Sequence, residues 1–119
     1  MGRREDNVVL QKSLEFAVRI VKLYKYLRNE KQETVLSKQL LRCGTSVGAN
    51  LHEAQESVSQ KEFGTKVYIA LKEARETEYW LALLYQTDYL TADEYQSINT
   101  DCTELLKLLV SITKTLRSH

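Results

Sequence analysis

Between Leu36 and Val58 two different stripes run side by side at helical spacing, and few folds accommodate both. Leu36, Leu40, Cys43, Val47, Leu51, Ala54 and Val58 recur every three or four residues and mark one apolar helix face. Gln39, Arg42, Ser46, Asn50, Glu53 and Ser57 keep the same spacing beside it as a polar line. Gly44 and Gly48 sit on the far flank, where absent side chains let a neighbouring helix come close. A surface helix needs an apolar face, but it does not need an ordered polar line along that face's edge. These polar groups are therefore expected to be part-buried and mutually hydrogen-bonded, fixing helix register or subunit packing.

The remaining sequence repeats the helical period. Residues 1–8 read as a flexible N-terminal arm, and residues 9–119 as a single domain. A first helix is expected from Val9 to Asn29, with Leu10, Leu14, Ala17, Val21 and Tyr24 as its main apolar stripe. A second line, Val9, Phe16, Ile20, Leu23 and Leu27, makes the apolar arc wider than one bundle seam requires. That excess fits either a helix set deep between two neighbours or a subunit interface. Lys12, Arg19 and Lys22, with Tyr26, form a basic edge on the other side, the candidate contact for a nucleic-acid backbone.

After the polar turn NEKQE, the second helix is expected from Thr34 to Ser57. Ser59 with Glu62 and Thr91 with Glu94 read as capping boxes opening a third helix, Gln60 to Thr87, and a fourth running to Leu116. Phe63, Val67, Ala70, Ala74, Thr77, Leu81 and Leu84 give the third helix its core stripe. Ile98, Cys102, Leu105, Leu106, Leu109, Ile112 and Leu116 do the same for the fourth. A second line on the third helix, Ile69, Glu73, Glu76, Trp80 and Leu83, is apolar at its ends and acidic in the middle. A part-buried carboxylate needs a donor, so Glu73 or Glu76 is expected to pair with Arg42.

No proline and four glycines in 119 residues argue against a sandwich or barrel, which needs many turns. Short connections between long helices force antiparallel neighbours. The fold class predicted is all-α, an antiparallel up-down-up-down four-helix bundle.

The chemistry-bearing residues are sparse. A di-iron bundle needs Glu-x-x-His pairs, and neither Glu53/Glu56 nor Glu73/Glu76 is followed by a suitable histidine. His52-Glu53 superficially resembles a zinc-protease helix but lacks the second histidine, and His52 projects away from the apolar stripe. Ser46 has no histidine one turn away, and there is no glycine-rich phosphate loop. The expectation is a non-enzyme without metal or cofactor. Cys43 and Cys102 both fall on apolar faces and read as reduced core thiols. No apolar run approaches a membrane span, and MGRREDN lacks a secretory core, so a cytoplasmic protein is expected.

Charge is uneven: residues 1–42 hold ten basic against five acidic side chains, and residues 43–119 seven against eleven. That asymmetry permits an acidic partner for the first half or head-to-tail self-association.

Gln39-Leu40, Arg42, Ser46-Val47, Asn50 and Glu53-Ala54 precede Phe63, Ala70-Leu71-Lys72-Glu73-Ala74, Glu76-Thr77 and Trp80-Leu81. This pattern resembles the bacterial four-helix-bundle proteins encoded in intervening sequences of 23S ribosomal RNA genes, often labelled ribosomal-protein-like. The resemblance spans about residues 8 to 116. Many members carry glycine where Ala54 stands and a small apolar residue where His52 stands, so the end of the second helix is expected to differ. Members are not established enzymes. A related group, the accessory proteins of diversity-generating retroelements, forms pentameric barrels that engage nucleic acid and a reverse transcriptase.

The resemblance thus implies a homopentamer associated with RNA or with a nucleic-acid-processing protein. Phe16, Ile20, Leu23 and Leu27 with Ile69, Trp80 and Leu83 would then supply the subunit contacts. Gln39, Arg42, Ser46, Asn50, Glu53, Glu73 and Glu76 are assigned to structure rather than binding. The rival reading is a protein-interaction adaptor with no nucleic-acid role, favoured by a net charge of only +1.

Overall fold

The computed structural model describes residues 4–118, with side chains from Asn7 onward. Four helices follow one another: α1 (Arg4–Asn29), α2 (Leu36–Ala54), α3 (Gln60–Gln86) and α4 (Ala92–Arg117). They stand antiparallel in an elongated bundle of 45 × 21 × 18 Å, each packed against its two flanking neighbours, with α1 closing against α4. The fold class expected from the periodicity is the one observed. α1 begins at Arg4, so residues 4–8 of the expected arm are helical; the first three residues of that arm lie outside the described ones.

Local chemistry explains each boundary. Thr91 accepts from the Glu94 amide at 3.2 Å while the Glu94 carboxylate accepts from the Thr91 amide at 2.8 Å, a complete capping box. Before α3 only half of the expected box closes. Ser59 Oγ accepts from the Glu62 amide at 3.0 Å, but Glu62 reaches past Ser59 to the Val58 amide at 3.4 Å.

α2 starts at Leu36, two residues after the expected Thr34, because Glu33 caps it. The Glu33 carboxylate accepts from the amides of Val35, Leu36 and Ser37 at 3.2, 3.0 and 2.7 Å. α2 ends at Ala54, three residues before the expected Ser57, and leaves Val58 93% exposed beyond the end of the buried stripe. Gln32 (φ 57°) and Asp88 (φ 69°) turn the chain after α1 and α3 in the left-handed region without help from glycine.

The core stripes predicted for α3 and α4 are buried from Phe63 to Leu84 and from Ile98 to Ile112, and α2 contributes Leu40, Cys43, Val47, Leu51 and Ala54. On α1 the second apolar line, not the first, is the one most deeply buried. Val9, Phe16, Ile20 and Leu27 are at most 2% exposed, whereas Leu14 is 57% and Val18 48% exposed. Phe16, Ile20 and Leu27 therefore belong to this chain's own core and have no surface to offer a second subunit.

The reason lies on α2. A Cβ built on Gly44 would stand 2.8 and 2.9 Å from the Ile20 side chain, and one on Gly48 would stand 3.2 Å from Ser13 Oγ. The two glycines admit α1 at close range and select the face carrying Ser13, Phe16 and Ile20.

Candidate functional site

Arg42 is the centre of the polar line. Its guanidinium pairs with Glu73 at 3.3 Å and with Glu76, and its Nε donates to Gln39 Oε1 at 3.3 Å. The Trp80 indole N–H donates to the same Glu76 carboxylate at 2.9 Å. The expected pairing thus forms within one chain, tying α2 to α3 through one cation and two carboxylates. Trp80, expected to serve only as apolar interface, is tethered to it and meets Tyr79 edge-on at 5.2 Å.

The rest of the line does not join that cluster. Ser46 donates to the Arg42 carbonyl at 2.7 Å and Asn50 to the Ser46 carbonyl at 2.9 Å, both back along their own helix. Glu53 instead pairs with Lys66 of α3 at 2.8 Å. The continuous network resolves into two inter-helix clasps with locally satisfied residues between them. Spacing alone gives the line. It does not say whether a short polar side chain turns to its neighbour or to its own backbone.

Beneath the clasp, the Thr77 hydroxyl donates to the Glu73 carbonyl at 2.8 Å and lies 3.2 Å from Cys43 Sγ. Burial raises the Cys43 thiol above its ordinary range, partly offset by Thr77, and burial pushes Cys102 up to about 12. Both thiols are free and buried, as expected for core residues. Among the described residues no group of three or more His, Cys, Asp or Glu is placed to hold a metal ion, and His52 is exposed.

The expected basic edge is already occupied. Lys12 pairs with Glu104, whose carboxylate raises the lysine above its ordinary range. Arg19 pairs with Asp101 at 2.7 Å and donates to the Ser97 carbonyl and hydroxyl at 3.2 and 2.9 Å. Both cations clasp α1 to α4, and only Lys22 of the three has no ion pair among the described residues. The pairing partners lie about eighty to ninety residues away in sequence, beyond any local pattern.

Among the described residues two apolar surfaces stand uncovered, apart from single exposed side chains such as Val35, Val58 and Tyr79. One is the outward stripe of α1, with Val8, Leu14 and Val18. The other is a groove of about 630 Å³ between α3 and α4, floored by Ile69, Leu71, Val110 and Leu116 beside the 57%-exposed Tyr68. Of the expected interface residues, Ile69 lies in this groove, Leu23 lines a separate α1–α4 groove, and Trp80 and Leu83 are half-buried. Of these exposed α1 side chains only Leu14 belongs to the first apolar line, which spacing assigns to the core; Val8 and Val18 stand outside both lines.

The model of the 23S rRNA-intervening sequence protein family matches residues 5–111. A crystal structure from Bacteroides thetaiotaomicron, of a protein of unknown function from the S23 ribosomal protein family, superposes with a TM-score of 0.91. It is 62% identical over 92% of this chain and 98% of that one. No curated protein matches the chain. Among the described residues no helix is long and apolar enough to cross a membrane.

Proposed function

The chain belongs to the 23S rRNA-intervening sequence protein family, and from that membership we propose a non-enzymatic helical assembly protein, a homopentameric ring that associates with RNA. One observation carries the assembly. The two uncovered apolar surfaces, the α1 stripe and the α3–α4 groove, are different patches on different helices. A closed ring needs such a heterologous pair, one patch of each subunit meeting the other patch of the next. Five is the number implied by the resemblance to pentameric accessory proteins. A cytoplasmic setting and the lack of a catalytic role belong to the same reading.

Light scattering coupled to gel filtration tests it. The wild type is expected at five times the chain mass, and Leu14→Glu with Val18→Glu should lower that mass while leaving helical content unchanged. A monomeric wild type would overturn the ring.

A second reading, an adaptor for another protein without a nucleic-acid role, is favoured by the neutralisation of Lys12 and Arg19 by Glu104 and Asp101. Salt separates the two. Phosphate contacts weaken steeply between low and physiological salt, whereas an apolar interface hardly responds.

A further inference from the structure

We propose that RNA docks not along the Lys12–Arg19 edge but on one end of the bundle, where α1 turns into α2, and that this end takes the phosphate backbone of single-stranded RNA. The inference rests on the RNA reading above and gives it a site.

Lys22, Lys25, Arg28, Lys31 and Lys38 are all exposed within the last two turns of α1, the turn, and the first turn of α2. None has an ion pair among the described residues, whereas Lys12, Arg19 and Arg42 each do. The same stretch holds two carboxylates, Glu30 and Glu33, and Glu33 is 7% exposed with its oxygens turned onto the α2 amides. From α4, Asp93 and Glu94 line a groove with Lys22, and Glu94 lies near Lys31. The side towards α4 is therefore mixed in sign. Asp88, in the turn after α3, adds a further carboxylate at this end, so the positive stretch is the α1–α2 segment itself and not the whole end.

Two of the cations are also held in place. The Arg28 guanidinium lies over the Tyr24 ring at 5.6 Å, and the Lys31 ammonium over the Tyr26 ring at 5.9 Å. A cation resting on a ring loses less freedom when it meets a phosphate. The alternative partner, an acidic protein segment, usually needs a central aromatic or aliphatic anchor. Here Val35 is the one large apolar side chain exposed in this stretch, so charge rather than apolar burial must supply the contact.

The test is fluorescence anisotropy of a labelled single-stranded RNA of mixed sequence, titrated with intact protein at several salt concentrations. Wild type should bind with a strong inverse salt dependence. Arg28→Gln with Lys31→Gln should weaken binding about tenfold and reduce the log–log salt slope by about 0.7 for each phosphate that is no longer neutralised. Lys12→Gln with Arg19→Gln should change affinity less than about twofold, because those cations are already neutralised.

If instead only the Lys12/Arg19 variant fails to bind, this location is overturned and the RNA reading stands. If wild type binds no RNA at low salt, both fall. If the Arg28/Lys31 variant changes solution mass and RNA affinity together, the end is an interface between copies and the proposal is overturned.

Discussion

Glu33 stands in a polar turn where the sequence offers no capping pattern, yet its carboxylate receives the amides of Val35, Leu36 and Ser37, and its carbonyl accepts from the Ser37 hydroxyl at 2.9 Å. Burial raises its affinity for a proton, but the amides of Ser37, Leu36 and Val35 together outweigh burial and hold it below the ordinary carboxylate range. A depressed folded-state pKa stabilises above the unfolded value, about 4.3, and that stability is lost as pH falls through the folded value. Glu33→Gln should therefore cost about 1 kcal/mol at neutral pH. The deficit should shrink as pH drops below the unfolded carboxylate's range, because the wild type then loses its ionised cap. Urea unfolding at pH 7 and pH 3 reads both; an equal deficit at the two values would refute an ionic cap. The cap is illegible in the sequence because Glu33 acts ahead of the helix, with a longer side chain than the familiar N-cap residues.

At the scale of elements, helical period determines three core faces and leaves the fourth ambiguous. α2, α3 and α4 each have one apolar line flanked by charge, so their buried faces follow from spacing. α1 has two, and choosing between them requires knowing what α2 presents. Gly44 and Gly48 hold that information, since a helix approaching two missing side chains brings bulk such as Ile20 to fill the space. Gly44→Ala tests the fit. Alanine gains about 1 kcal/mol of helix propensity. Its methyl would nevertheless meet two carbons of a fully buried, branched side chain within 3 Å, and overpacking costs about 1–3 kcal/mol. The net change should be destabilising in denaturant titration, and it should cost less in an Ile20→Ala background, which lacks both of those carbons. The Arg42–Glu76 pair is legible because both lines are visible and a carboxylate in one faces a cation in the other. The Lys12–Glu104 and Arg19–Asp101 pairs are not, because they depend on which faces of α1 and α4 meet.

Over the whole molecule, Cys43 and Cys102 lie at 0% and 1% exposure on two different helices of one core. With burial holding both thiols above their ordinary range, neither has a reactive thiolate at mild pH while the bundle is closed. Both should resist a disulfide-exchange reagent in native buffer and react together, at the rate of global unfolding, as urea is raised. Reaction of one thiol well ahead of the other would mean that a helix opens separately from the rest.

The even number of antiparallel helices also gives the bundle a direction. Arg4 and Arg117, the outer ends of α1 and α4, lie at one end with the α2–α3 connection; the turns after α1 and α3 lie at the other. In the proposed ring, if the bundle axes run along the ring axis, these ends would form two unlike rims. One rim would gather every copy of the lysine- and arginine-rich corner. The opposite rim would gather the outer ends of α1 and α4, so a cargo protein joined there would project away from that corner, all copies facing one side like petals on a calyx.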